Sequence, residues 1–224
     1  MDAAVAAGRP GIIIAFEGGD VLEGMLDRVS EVHAAGVRLM QLVHYRVNEL
    51  GDIQTEEPVH NGLTPFGADV VRACNRLGVI IDVAHATFEA TSQVLKVATR
   101  PSILSHTFLT DRPRPNTRGI TREHARAVAD AGGTIGIVPF PSSFPTLQRY
   151  AEGVARMADA VGIDHVGIAS DMTGIPTGIP PFNNYGQIPE IAKALADKGF
   201  RPDDVRKVMG GNFMRVFRAV GAGT

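Results

Sequence analysis

The chain has 224 residues, 44% of them apolar and 21% charged, and a net charge of -2. That is a globular composition with enough chain for one sizeable core, and it gives no electrostatic reason for nucleic acid or an anionic membrane to be a partner. The single cysteine, Cys74, excludes an internal disulfide and a cysteine-rich zinc site.

No run approaches the roughly 18 to 20 apolar residues of a membrane span. The N-terminus "MDAAVAAGRP" lacks the basic region and apolar core of a signal peptide, so a cytoplasmic location is expected. In chain order, short runs rich in Val and Ile predict strands at 12–16, 38–43, 79–84, 102–105, 134–138 and 165–170. Helical stripes lie between them. Leu22, Met25, Leu26, Val29 and Val32 form one, and Val70, Val71, Cys74 and Leu77 another. Thr121 is a predicted N-cap before Ala125, Val128 and Ala129, and Gly132 and Gly133 stop that helix. Tyr150, Val154, Met157, Ala158 and Val161 form a further stripe, followed by Ile188, Ile191, Ala192 and Leu195 and by a helical stretch opened by Pro202. Strands alternating with helices predict an α/β fold with a parallel sheet, in one domain covering 1–224.

Five of the six predicted strands run straight into a polar or ionisable residue: Glu17, His44, His85, His106 and Asp171. The sixth ends at Pro139. In a parallel barrel every strand delivers its C-terminal end to the same face, so these five side chains are expected to converge. Each has a plain structural explanation. A histidine at a strand end is often a packing residue, Glu17 could favour a helix dipole, and Asp171 could cap a turn. As a set, His85 and His106 on neighbouring strands, with Glu17, suit a divalent ion. His33, His60, His124 and His165 are read as surface or structural.

The segments "FEGGD", "GVRLMQLVH", "GLTPFG", "NRLGVIIDVAH", "SHT", "RGIT", "GIASDMTG" and "GGNFMRVF" resemble, in order, those of the membrane dipeptidase (renal dipeptidase) family of metallopeptidases, peptidase family M19. The resemblance implies a (β/α)8 barrel of the TIM-barrel, amidohydrolase type and hydrolysis of dipeptides with Zn2+. It implies that Glu17 bridges two zinc ions and that His85 and His106 ligate one of them. His44 would contact the substrate carbonyl, and Asp171 would move a proton from the attacking water to the leaving amine. Arg118, in "TRGIT", would bind the substrate carboxylate, although Gly119 stands where the family usually has Asn, and Arg112 and Arg114 are close by.

The family's other ion is held by a His-x-Asp pair on the first strand, and no such pair precedes Glu17. Six strands, and a length under the roughly 250 residues usual for this barrel, point the same way. The expectation is therefore an incomplete barrel lacking the first two βα units, with exposed edges and interior, a tendency to associate into a homo-oligomer, and one zinc rather than two. Two alternatives follow: an inactive remnant serving as a binding or assembly module, or another amidohydrolase-type barrel acting on lactones or cyclic amides.

Overall fold

The computed structural model describes residues 6–112, 117–175 and 180–221. Among the described residues there are seven strands: β1 (Ile14–Glu17), β2 (Val37–Gln41), β3 (Ile80–Asp82), β4 (Ile103–Leu109), β5 (Gly119–Ile120), β6 (Thr134–Ile137) and β7 (Val166–Ile168). All pairings are parallel, in the order β1-β2-β3-β4-β6-β7, with β5 attached to the end of β4. Among the described residues β1 and β7 each have a single neighbour, so the strands form an arc of a barrel rather than a closed ring.

The helices are α1 (Arg28–Ala34), α2 (Pro65–Leu77), α3 (Phe88–Val97), α4 (Arg122–Asp130), α5 (Leu147–Val161), α6 (Ile188–Asp197), α7 (Pro202–Arg206) and α8 (Asn212–Gly221). Four of them start on a threonine whose side chain accepts the N–H three residues on: Thr64, Thr87, Thr121 and Thr146. Each satisfies a donor the helix cannot satisfy itself. No helix among the described residues is long and apolar enough to cross a membrane.

Side chains alternate along the strands and divide the interior in two. Met40, Ile81, Leu104, Ile135, Ile137 and Val166 join the main core with the helices. Leu39, Ile80 and Ile103 face the other way and pack with Val216 and Val220 of α8. Thus α8 covers the concave face near the starts of the strands. Asn212 fixes it there, its amide donating to the carbonyls of Ile163 (2.7 Å) and Val166 (2.8 Å). The apolar interior expected to lie open is closed at this end. The β1 edge does match expectation, with Ile12 88% and Ile14 50% exposed.

Three expectations need correction. The stripe from Leu22 to Val32 is not one helix: a 3-10 turn covers Gly19–Leu22, and Glu23 and Gly24 then turn left-handed (φ 46° and 70°). Met25 and Leu26 are consequently exposed, while Leu22 and Val29 are buried. The two-residue β5 and helix α3 were not among the predicted elements, the first being too short to leave a periodic signal. His106 lies inside β4 rather than after it.

Between β2 and α2 the chain makes an excursion organised by Asp52, whose buried carboxylate accepts the N–H groups of Val59 (2.9 Å), His60 (3.0 Å) and Gly62 (2.7 Å). Burial works against its ionisation, but these donors outweigh it and hold its pKa below the ordinary value. The excursion is tied to the end of β3 through Gln54 N–H to the His85 carbonyl (2.8 Å). A depressed folded-state pKa contributes stability that is present above the unfolded value, near about 4, and is lost as pH falls through the folded one. We expect Asp52→Asn to lower the unfolding free energy at pH 7 by about 1–3 kcal/mol, and to weaken the acid dependence, in urea titrations.

Candidate metal centre

Glu17 is the last residue of β1, and the two glycines after it make room at the rim. Gly18 is left-handed (φ 103°), and a Cβ there would sit 3.2 Å from the His44 Cβ. Gly19 donates to the Leu42 carbonyl at 2.9 Å, locking the end of β1 to that of β2. Two other residues at the rim are left-handed without being glycine, His85 (φ 68°) and Asp171 (φ 43°). Strained backbone of this kind persists where the surroundings enforce it, often at functional positions. In β4 the register shifts between Leu104 and Thr107. This irregularity lets the consecutive residues Ser105 and His106 both line the concave cavity.

These elements bring together three of the sequence-predicted residues. Glu17, His85 and His106 present one ligand atom each, all within 4.8 Å of one another. The Nε2 atoms of His85 and His106 are 3.0 Å apart, and each is 3.4 Å from Glu17 Oε1. His44 Nε2 lies 3.2 Å from the same oxygen.

The charge states suit a cation. The hydrogen bond with His85 does most to bring the Glu17 pKa down to about 2; burial opposes it, and the charges of His106, His44 and His85 assist. Burial, then the positive charges of Arg118 and His85, lower His106 to about 3. Burial likewise lowers His85. The cluster is therefore two neutral imidazoles and a carboxylate, a donor set suited to zinc with room for a further ligand. Two lone pairs and a carboxylate oxygen this close repel one another unless a proton or cation lies between them. The residues fit a metal on this ground. Among the described residues they are the one such cluster.

Glu17 and Asp171 also separate two cavities. One, of about 250 Å³, is lined by Glu17, His44, His85, Arg118, Phe140 and Asp171 among others. The other, of about 360 Å³, lies over the concave face and includes Gln41, Asp82, Ser105 and His106 in its lining. Arg118 immediately precedes β5, and its Nη1 donates to Gln54 Oε1 at 2.9 Å. Its Nη2 is buried with no partner among the described residues. Burial lowers its pKa to about 10 against the charges of Asp171, Asp82 and Glu17, so it remains a cation. Burial, with the Glu17 charge, raises Asp171, while Arg118 and His44 oppose. Arg112 lines a different cavity, beside Thr110 and Arg156, and Arg114 lies outside the described residues.

Of the remaining histidines, His33 and His60 are outside the cluster. His124 is buried against Thr91 Oγ1 (2.9 Å), and His165 bonds the Gly133 carbonyl (2.8 Å). The sequence reading missed Gln54, Asp82 and Ser105. A carboxylate in the apolar run "VIIDVA" was a usable signal for Asp82, and adjacency to His106 was one for Ser105. Gln54 left no signal, because the excursion alone brings it to Arg118.

A parallel sheet with a histidine and carboxylate cluster at its C-terminal rim is the framework of barrel metal-dependent hydrolases. The profile of the membrane dipeptidase family, peptidase family M19, matches residues 1–223. Dipeptidase tcpJ of Claviceps purpurea is 31% identical over 195 residues, 84% of this chain and 46% of that protein. An amidohydrolase from Pseudomonas aeruginosa has a TM-score of 0.88 at 25% identity, with 98% of this chain and 75% of that one covered. A metallopeptidase from Rhodobacter sphaeroides, solved with a phosphinate mimic of the dipeptide L-Ala-D-Ala, has a TM-score of 0.83 at 23% identity, covering 98% and 66%. The chain belongs to the membrane dipeptidase family, and it spans about half the length of the curated relatives it matches.

Removing a ligand should separate metal binding from folding. We expect His106→Ala to weaken zinc binding by roughly a hundredfold or more in chelator competition, since a three-ligand site becomes a two-ligand one. The exposed His60→Ala should leave it unchanged.

Proposed function

We propose that the chain carries the working face of a zinc-dependent dipeptidase of the membrane dipeptidase type. The observation that carries this reading is the placement of Asp171 and a buried arginine donor around the same cavity as Glu17, His44 and His85. Glu17, His85 and His106 would hold the cation. A divalent ion there supplies Lewis acidity toward the peptide carbonyl and lowers the pKa of water to about 7.

The chain's own residues do the remaining work. Asp171 takes the proton of the attacking water and returns it to the leaving amine, a role for which a raised carboxyl pKa is suited. His44 lies across the cavity and donates to the carbonyl oxygen as negative charge develops on it. Arg118 receives the free carboxylate of the substrate on Nη2. A buried charged donor without an acceptor costs about 1–3 kcal/mol or more, so an incoming carboxylate relieves a penalty already present. That preference favours dipeptides over longer peptides and over lactones or cyclic amides, which offer no carboxylate at this point.

A second reading, a binding module without turnover, is favoured by the presence of one three-donor cluster among the described residues. Turnover by zinc-loaded protein, followed as amino acids released from a dipeptide panel, decides between them. In the active case we expect Asp171→Asn to lower kcat by roughly 10² to 10⁴. Arg118→Met should raise KM about tenfold to a hundredfold for dipeptides and leave their C-terminal amides little affected. Zinc binding without release of amino acids from any dipeptide would sink the hydrolase reading.

A further inference from the structure

A guanidinium is a rigid fork of N–H donors, and in this chain the fork of Arg118 is only partly used. Among the described residues its one hydrogen-bond partner is the side-chain oxygen of Gln54, which accepts from Nη1 at 2.9 Å. Nη2 is buried and has no partner among them. A buried cation is ordinarily paired with a carboxylate. Here its partner is a neutral amide, which holds the group without cancelling its charge.

Gln54 is itself held at both ends. Its backbone N–H donates to the His85 carbonyl (2.8 Å), and the residue before it, Ile53, is fully buried and forms an antiparallel bridge with Ala86. One residue further back, the Asp52 carbonyl accepts the Thr87 N–H (3.2 Å) while the Asp52 carboxylate organises the excursion. At the tip of the side chain Oε1 meets Arg118 and Nε2 faces the Gly119 carbonyl at 3.5 Å. Turning the amide over would set its NH2 against the guanidinium and its oxygen against a carbonyl, so the two neighbours decide which atom meets the arginine. Thr55 and Arg118 line the cavity beside Glu17 and Asp171, and Gln54 stands behind them.

We propose that Gln54 is a positioning residue that sets specificity: a neutral acceptor that fixes one arm of Arg118 and leaves the other, Nη2, uncompensated for a substrate carboxylate. Gln54 acts through Arg118, so its role rests on the reading of that arginine as the receptor of the carboxylate. It touches no substrate itself.

Two physical consequences follow from an amide at this position. Arginine has much rotamer freedom, and an arm fixed beforehand does not have to be ordered when the ligand arrives. A carboxylate in the same place would also fix the arm, but it would form a charge-assisted, bidentate pair and occupy the cation that the substrate needs. Glutamine therefore separates two properties that glutamate would join, orientation and neutralisation.

The role can be tested without turnover, by calorimetric titration of the zinc-loaded chain with a phosphinate mimic of a dipeptide and with the C-terminal carboxamide of the same mimic. The ratio of the two affinities isolates the carboxylate, whereas a merely structural role for Gln54 would weaken both forms alike. The unsubstituted chain is expected to prefer the carboxylate form. Gln54→Glu, which keeps the size and the acceptor but adds charge, should reduce that preference roughly tenfold to a hundredfold and leave the carboxamide within about threefold. Gln54→Met, which keeps the length but removes the acceptor, should reduce it about threefold to tenfold. Should Gln54→Met fail to fold, Gln54→Glu still decides. An unchanged ratio in folded Gln54→Glu, or equal weakening of both forms, overturns the proposal and leaves Arg118 as the receptor. No preference in the unsubstituted chain overturns the role of Arg118 and that of Gln54 with it. A preference that Gln54→Glu abolishes, in a chain that releases no amino acids from dipeptides, would overturn the hydrolase reading and leave Gln54 in its role.

Discussion

Because every strand of the sheet runs parallel, each releases the chain at the same rim, and the residues at the strand ends have to share that rim. The constraint is electrostatic as much as geometric. Glu17, His85 and His106 put three candidate ligand atoms within 3.0 to 3.4 Å of one another. Such a cluster is held together by a proton or a cation shared between its atoms. The surrounding structure resists the tendency of these groups to move apart. Gly18 and Gly19 hold β1 against β2, the left-handed His85 turns its ring inward, and the shifted register of β4 adds His106.

Backbone strain at His85 and Asp171 costs about 1–3 kcal/mol each and is offset by the well-packed core on the helical side of the sheet. That core is largely indifferent to the site, since Met40, Ile81, Leu104 and Ile135 point away from the rim residues of their own strands. The division allows the rim to carry charged and strained groups while stability comes from the other face. Buried polar groups cross it at few points. Asp82 is one, and the two backbone N–H groups it accepts, from Ala84 and Ser105, show how such a group is kept from destabilising the sheet.

The parallel order and the five rim residues were legible because both depend on local pattern: β-branched runs mark strands, and the residue that ends a run marks the rim. Glu17, His44, His85 and Asp171 followed directly. His106 was found for a partly wrong reason, since it lies within β4 and reaches the rim cavity through a shift in register that no single sequence displays. The broken first helix was misread because the apolar spacing from Leu22 to Val32 has helical period, while Glu23 and Gly24 turn the chain between two of its members. Gln54 belongs to a different category. Its importance comes from Arg118, a partner distant in the chain, and that is not encoded in periodicity.

The covering of the concave face by α8 also bears on how the molecule is assembled. Strands β1 to β4 can pair through near neighbours in the chain, but Leu39, Ile80 and Ile103 stay wet on that face until Val216 and Val220 arrive. Closing so large a loop is entropically slow, and partners distant in sequence form late. During synthesis, half of each early strand would therefore wait uncovered while its helical side was already packed. The floor of the site is the last wall to be built, and the rim above it can be complete in outline before it is held in place from below.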